Sequence, residues 1–156
     1  RTKIMCLTVK PTTKVKTVKG RNKIAYKVLS RNSDNEYKTP YFWRYVKVNE
    51  LIVVRDTFSN PIKDLQIIHK RYGHEVKHGI HGLLNLKSAK QELRWNKKHN
   101  GRGTFVIVKM IIPVGAKYVL GYFPVTQNTS FRIKNKNKNN SIVATEVIYK
   151  LIPKKK

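Results

Sequence analysis

The pattern of apolar and polar positions predicts a chain built mainly of β-strands. Four segments are rich in β-branched residues or alternate apolar with polar side chains, as strands with one buried face do. They are residues 24–30, 104–112, 116–123 and 141–152. Because Pro113, Val114 and Gly115 are typical of a turn, the second and third segments are expected to form a hairpin or a tight strand pair.

Two further stretches favour extended backbone. Residues 1–19 alternate short apolar positions with basic or Thr positions ahead of Gly20, which is typical of an extended arm or an edge strand. Lysines on such an edge also prevent unwanted strand pairing. Beyond the aromatic run at residues 41–45, residues 46–55 form a strand-like segment.

Two helices are predicted in the middle of the chain. Residues 88–91, Ser-Ala-Lys-Gln, match a capping box, with Asn85 as a competing N-cap and Ala89 as an apolar contact. Apolar residues also recur at helical spacing over residues 62–72, and Gly73 would end that helix.

These elements predict an α+β fold, a compact, mostly antiparallel β-sheet with one or two short helices and a basic N-terminal arm. The 156 residues are 40% hydrophobic, a length and composition that suit one folded domain. We expect a basic extended arm at residues 1–20, a single α+β domain at 21–153 and a basic tail at 154–156. The longest apolar stretch, residues 105–112, is far shorter than the roughly 20 residues of a transmembrane helix, so no membrane span is expected.

The net charge of the chain indicates which class of molecule it binds. Thirty-four Lys and Arg residues against eight Asp and Glu residues give a formal net charge of +26. The excess is +10 over residues 1–31 and +12 over residues 97–156, but only +4 over residues 32–96. Because so many positive charges repel one another, the sequence predicts a partner that is either a polyanion or an acidic protein. Lysines outnumber arginines 25 to 9, and because bidentate base recognition favours arginine, sequence-specific readout of bases is not predicted.

The residues predicted to contact a polyanion or partner lie in the two basic ends of the chain. They are Lys10, Lys14, Lys16, Lys19, Arg21, Lys23, Arg132, Lys134, Lys136, Lys138, Lys154, Lys155 and Lys156. Tyr41, Trp43 and Tyr45 are candidates for stacking on single-stranded nucleic acid. The alternative for this aromatic run is packing in the core, where a small domain buries its large rings.

Four of the five histidines crowd one segment: His69, His74, His78 and His81. Histidine is a common zinc ligand, but these spacings do not match H-E-x-x-H. Gly73, Gly79 and Gly82 predict a loop there rather than a helix, and the neighbouring lysines and arginine disfavour a dication. We therefore predict ordinary surface or packing histidines and no metal site. Cys6 is the only cysteine, which excludes an intrachain disulfide.

Acid–base catalysis is not predicted, because carboxylates are few and must converge in space. Glu146 is the only acid after Glu92, and simple strand alternation places it on one face with Ile142, Ala144, Ile148 and Ile152. It is either paired with a lysine or tuned for a functional role. No nucleotide-binding or nucleophile motif is present, so neither an enzyme nor a cofactor is predicted.

Four segments carry a family resemblance. They are Lys77-His78-Gly79-Ile80-His81-Gly82, the helix with Ala89, Ile111-Ile112-Pro113-Val114-Gly115-Ala116-Lys117-Tyr118 and Ala144-Thr145-Glu146-Val147-Ile148. Together they resemble a small domain of unassigned activity found in bacteriophages and large DNA viruses, over about residues 70–152. The resemblance implies a viral setting. A remote likeness to ADP-ribosyltransferase folds would make Glu146 the catalytic glutamate with His81 or Tyr118 nearby, although a nicotinamide-binding motif is lacking.

The sequence as a whole predicts a non-enzymatic structural component of a virus particle. This would be a minor capsid or cement-like protein whose basic arms bridge acidic neighbours or contact the genome. Its partners would be other, acidic virion proteins and nucleic acid, and its location the virion, with an intracellular stage during assembly. The alternatives are a sequence-nonspecific nucleic-acid-binding module and, third, an ADP-ribosyltransferase-like enzyme.

Overall fold

Strands make up most of the folded chain. A computed structural model describes residues 7–9, 12–40, 44–70, 73–76, 78–99, 104–122 and 139–153. Within them one helix is present, α1 (Leu86–His99). The strands are β1 (Thr8–Val9), β2 (Lys16–Thr17), β3 (Lys23–Arg31), β4 (Tyr37–Lys38), β5 (Tyr45–Val46), β6 (Leu51–Val53), β7 (Ile67–Lys70), β8 (Gly73–Val76), β9 (Ile80–Leu83), β10 (Thr104–Ile112), β11 (Lys117–Gly121), β12 (Ser141–Ala144) and β13 (Glu146–Leu151). The predicted α+β class is confirmed.

The strands form two antiparallel sheets. The larger sheet runs β2-β11-β12-β9-β3-β10-β13-β6, with β4 beside β3 and β5 beside β4; the smaller runs β1-β8-β7. β3 and β10 pair over nine residues, the longest register in the fold. By contrast, β3 and β9 share the single pair Tyr26↔Leu83, here called the β3–β9 seam. The seam joins a half made of β2, β11, β12 and β9 to a half made of β3, β10, β13 and β6.

The main core is shared by the two halves of the larger sheet. Val108, Met110 and Ile112 of β10 alternate inward and are completely buried. They belong to one cluster with Ile142 and Ala144 of β12, on the other side of the seam. Burying such side chains stabilises the fold by about 1.5–3 kcal/mol each, so this cluster holds the two halves together.

The smaller sheet covers the opposite face of β11 and β12. Leu7 and Val9, at the beginning of the chain, are buried with Val76 of β8 against Val119 and Val143. The stretch predicted as a separate basic arm therefore contributes apolar residues to the core where it is described. Its alternation of apolar and basic positions places one set of side chains inside and the other in solvent.

The helix begins where the sequence offered two caps. Asn85 Oδ1 accepts a hydrogen bond from the backbone N–H of Ser88 at 2.8 Å, so Asn85 is the N-cap and α1 begins at Leu86, two residues before the predicted capping box. Ala89 is fully buried and packs with Leu83, Tyr26 and Ile107. The predicted helix over this region is thus confirmed, with an earlier start.

Three local predictions are wrong, each because tertiary strand pairing overrides the local pattern. Residues 62–70 of the segment predicted as a helix at 62–72 are not helical, since residues 67–70 form β7 and pair with β8, while residues 71–72 lie outside the described residues. The glycine-rich segment expected to be a loop supplies β8 and β9. β10 and β11 do not form a hairpin, because β10 pairs with β3 and β13 while β11 pairs with β12 and β2.

The last predicted strand is split at Thr145. The Thr145 hydroxyl oxygen accepts a hydrogen bond from the backbone N–H of Lys117 at 3.0 Å, and the break shifts the inward–outward alternation by one residue. Val147 and Tyr149 consequently face the core with Ile142, whereas Glu146 is half-buried on the outer face. The expected grouping of Glu146 with Ile142 is therefore wrong.

Helix length also bears on membrane insertion. In the described part of the chain, no helix is both long enough and apolar enough to cross a bilayer.

Gly79, between β8 and β9, tests the packing of the small sheet on β12. It has φ +153°, and a Cβ added there would overlap Cγ1 of Val143 and lie 3.2 Å from Cδ2 of Leu65. We expect Gly79→Ala to lower the free energy of unfolding by about 1–3 kcal/mol through overpacking. Gly115→Ala is the control. Gly115 also has a positive φ, +95°, so both variants share the backbone strain, but a Cβ at Gly115 would meet no atom within 4 Å. Equal losses in chemical denaturation would contradict the close packing at Gly79.

Candidate polyanion-binding groove

A groove with a volume of about 560 Å³ lies beside the connection between β2 and β3. We call it the basic groove. Its lining consists of Thr17, Val18, Lys19, Arg21, Asn22, Lys23, Ile24 and Tyr118. Pairing of β2 with β11 places Lys16 opposite Tyr118, which brings the aromatic wall next to the β2–β3 connection.

Backbone hydrogen bonds give this connection a defined shape. Gly20 adopts φ +78°, a conformation that glycine reaches without steric cost. The N–H of Arg21 donates to the carbonyl oxygen of Lys19 at 2.9 Å. The N–H of Val114 donates to Asn22 Oδ1 at 3.1 Å, which ties the connection to the turn after β10. Lys19 and Arg21 thus project from an anchored loop, and Lys23 projects from the first position of β3.

The lining of the groove carries positive charge without a carboxylate. Lys19 and Arg21 are exposed, and Lys23 is half-buried. The Lys23 Nζ atom lies 5.0 Å from the centroid of the Tyr118 ring, a cation–π contact that orients the lysine. A guanidinium fork beside two ammonium groups matches the oxygens of a phosphate. The groove is therefore suited to a phosphorylated polyanion.

The structure describes part of the predicted contact set. Lys14 and Lys16 are exposed, and Lys19, Arg21 and Lys23 are brought together in the basic groove. The remaining predicted contacts lie outside the described residues: Lys10, Arg132, Lys134, Lys136, Lys138, Lys154, Lys155 and Lys156.

The aromatic stacking candidates are described only at Tyr45, since Tyr41 and Trp43 lie outside the described residues. Tyr45 is 61% exposed, so it is not the core residue that the alternative interpretation required. Lys38 Nζ lies 4.4 Å from the centroid of its ring. Tyr45 thus presents an aromatic surface next to a cation.

A second group of charged residues lies inside the fold and was missed by sequence reasoning. Lys27 Nζ donates a hydrogen bond to the carbonyl oxygen of His81 at 2.8 Å, across the β3–β9 seam. Glu92 and Asn96 are buried on α1, where Asn96 Nδ2 donates to the carbonyl oxygen of Glu92 at 2.9 Å. These four residues are called the buried polar cluster. The signal was present, because Glu92 and Asn96 follow Ala89 at positions i+3 and i+7 of one helical face.

Burial sets the protonation states of this cluster. It lowers the pKa of Lys27, while the nearby negative charge of Glu92 acts in the opposite direction. Burial lowers the pKa of His81 to about 3, with a further contribution from the positive charge of Lys27. The His81 Nε2 atom is inaccessible to solvent, and the ring is neutral at neutral pH. The Lys27–His81 hydrogen bond therefore links β3 to β9, and the electrostatic interaction between Lys27 and Glu92 links α1 to β3.

The histidine segment is distributed over the smaller sheet and the seam. His69 of β7 and His74 of β8 are cross-strand partners, and His78 is exposed between β8 and β9. No group of three or more His, Cys, Asp or Glu side chains converges for metal binding among the residues that the structure describes.

Comparison with protein-family models, curated proteins and solved structures finds no match to this chain. The resemblance to a small phage and large-virus domain therefore stays a prediction. Function is inferred here from the basic groove and from the surfaces around it.

The pKa of His81 predicts a pH-dependent stability. An unfolded histidine has a pKa of about 6.5, whereas that of folded His81 is about 3, so protonation favours the unfolded chain. This contribution to stability is complete above pH 6.5 and is lost as the pH falls towards 3, by about 1.4 kcal/mol per unit. We expect His81→Gln to flatten the stability profile between pH 7 and pH 4 in urea unfolding. His78→Gln, at an exposed histidine, should keep the wild-type slope; equal slopes in all three proteins would contradict the assignment.

Lys27 and Glu92 should be energetically coupled. We expect Lys27→Met to lower the free energy of unfolding by about 1–3 kcal/mol, because it leaves the buried carbonyl oxygen of His81 without this donor and removes the positive charge near Glu92. Lys27→Met/Glu92→Leu should recover part of this loss, since both charges are then removed. Lys90→Met, at an exposed position on α1, is the control. Additive losses of the single variants Lys27→Met and Glu92→Leu in a double-mutant cycle would refute the coupling.

Proposed function

We propose that this protein is a non-enzymatic structural protein that binds nucleic acid through phosphate contacts, without sequence specificity. One observation carries the proposal: the basic groove gathers Lys19 and Arg21 of an anchored loop with Lys23 at the start of β3, and its lining contains no carboxylate. The net charge of +26 supports it, because a polyanion would relieve the repulsion.

The chemistry of the groove favours phosphate over base edges as the recognised group. Lysine ammonium groups act as point charges, and the arginine supplies one fork of parallel donors. Contacts of this kind position a nucleic acid and provide affinity, but they carry no sequence information. The virus particle predicted from the sequence is a setting in which such binding would fasten a structural protein to packaged genome.

Salt dependence provides the test. Each phosphate contact contributes about −0.9 to the slope of log K against log salt for duplex DNA, so losing three contacts reduces the slope by up to about 3. We expect this reduction for the triple variant Lys19→Gln/Arg21→Gln/Lys23→Gln. Binding is measured by fluorescence anisotropy with a labelled DNA duplex of about 20 base pairs and arbitrary sequence, at salt concentrations from about 50 to about 200 mM, where phosphate contacts weaken strongly.

A matched variant separates a site from general charge. Lys87→Gln/Lys90→Gln/Arg94→Gln also removes two lysines and one arginine, but from exposed positions of α1. It should retain most of the affinity and slope. If both triple variants lose affinity equally, or if binding of the wild-type protein does not respond to salt, the proposed role of the groove is wrong.

A further inference from the structure

An apolar stripe crosses four neighbouring strands on the outer face of the larger sheet. Ile24 of β3 is paired with Ile111 of β10, Ile111 with Ile148 of β13, and Ile148 with Leu51 of β6. Directly paired residues of antiparallel strands point to the same face. The four side chains therefore form one row about 14 Å long, given a strand spacing of about 4.8 Å.

The stripe is open to solvent. Ile24 is 46% exposed and Leu51 is 53% exposed, while Ile111 and Ile148 between them are half-buried. None of the four belongs to a core cluster of the described residues. The four aliphatic side chains form one contiguous apolar row, which distinguishes them from exposed apolar residues that are scattered singly over a surface.

The same face already accepts a helix a short distance away. Tyr26 and Ile107, which pack with Ala89 of α1, have the same alternation along their strands as Ile24 and Ile111. Ile107 and Ile111 are four residues apart on β10, about 13 Å along the strand. Because an α-helix with its side chains is about 10 Å across, a second helix can lie beside α1 on the stripe.

The charges around the stripe define the chemistry of its occupant. On the side towards α1, Lys109 and Lys150 are an exposed cross-strand pair in the adjacent row. On the other side, the adjacent row holds Glu146 paired with Val53. The stripe thus has two lysines along one side and a glutamate along the other. An occupant with carboxylates on the edge that faces Lys109 and Lys150, and none on the edge that faces Glu146, would complement both sides. A second copy of this chain is a poor occupant, because each copy carries a net charge of +26.

We infer that the apolar stripe is the docking site for an acidic amphipathic helix of a partner protein. The apolar face of that helix covers the stripe, and its acidic edge faces Lys109 and Lys150. This site is distinct from the basic groove in its chemistry, although Ile24 borders both. It goes beyond nucleic-acid binding and gives the acidic partner predicted from the sequence a specific surface.

The test uses two synthetic 18-residue peptides of identical composition, rich in Leu, Glu and Ala. One places its Leu residues on a single helical face, and the other distributes them around the helix. Equal charge means that general attraction to a basic protein is the same for both. We expect the amphipathic peptide to bind about tenfold or more tightly than the other by isothermal titration calorimetry, as for a site read through apolar contacts.

Variants of the chain locate the site. Leu51→Thr/Ile148→Thr keeps strand-compatible residues and should abolish the preference between the peptides. Phe58→Thr/Val114→Thr removes two exposed apolar residues that lie outside the stripe, and should leave the preference intact. If the first double variant fails to fold, Lys109→Glu/Lys150→Glu tests the same site and should weaken binding of the amphipathic peptide relative to wild type.

Three results would overturn the inference. They are equal binding of the two peptides to the wild-type protein, an unchanged preference in Leu51→Thr/Ile148→Thr, and self-association of the wild-type chain in sedimentation that this variant removes. The last would identify a second copy as the occupant. DNA affinity should be unchanged in Leu51→Thr/Ile148→Thr, so failure of this site and failure of the basic groove are distinguishable.

Discussion

The fold depends on how the β3–β9 seam is closed. A single residue pair joins the two halves of the larger sheet there, so the hydrogen-bond ladder alone is a weak link. Three other interactions reinforce it. The main core takes residues from both halves, Lys27 donates across the seam to the carbonyl oxygen of His81, and α1 contacts β3, β10 and β9 together. Burial of Lys27 costs free energy, and the charge of Glu92 on α1 offsets part of that cost.

This arrangement separates two uses of charge in a strongly basic chain. Inside the described part of the fold, Lys27 is buried near Glu92, whose negative charge acts against the effect of burial on the lysine, and the neighbouring His81 is neutral. Outside, two lysines and one arginine line a groove whose lining contains no carboxylate, and Lys109 and Lys150 border an apolar row on the sheet. The groove and the stripe are adjacent but chemically different, one suited to phosphates and the other to an amphipathic acidic helix. A protein that bridges a genome and a protein partner would use both.

The local pattern of residues predicted an element correctly where the residues of that element carried the whole signal. The bounds of β10 match the strand predicted at residues 104–112, because its side chains alternate between a core face and an outer face. Helix α1 was predicted because caps and apolar spacing lie within one short segment. Pattern failed at residues 62–72, where helical spacing of apolar residues lost to pairing of β7 with β8. It also failed after Thr145, where a side-chain hydrogen bond to Lys117 breaks the strand and reverses which residues face inward.

The sequence by itself determined the class of fold, the excess of positive charge and the helix in the middle of the chain, because these follow from composition and short-range periodicity. It also placed Lys19, Arg21 and Lys23 among thirteen basic residues predicted to contact a partner, but it did not show that these three share a groove. Only the tertiary structure brought Lys27, His81 and Glu92 together and aligned Ile24, Ile111, Ile148 and Leu51 in one row. Those groupings depend on strand order and register, which are set by contacts between residues far apart in the chain.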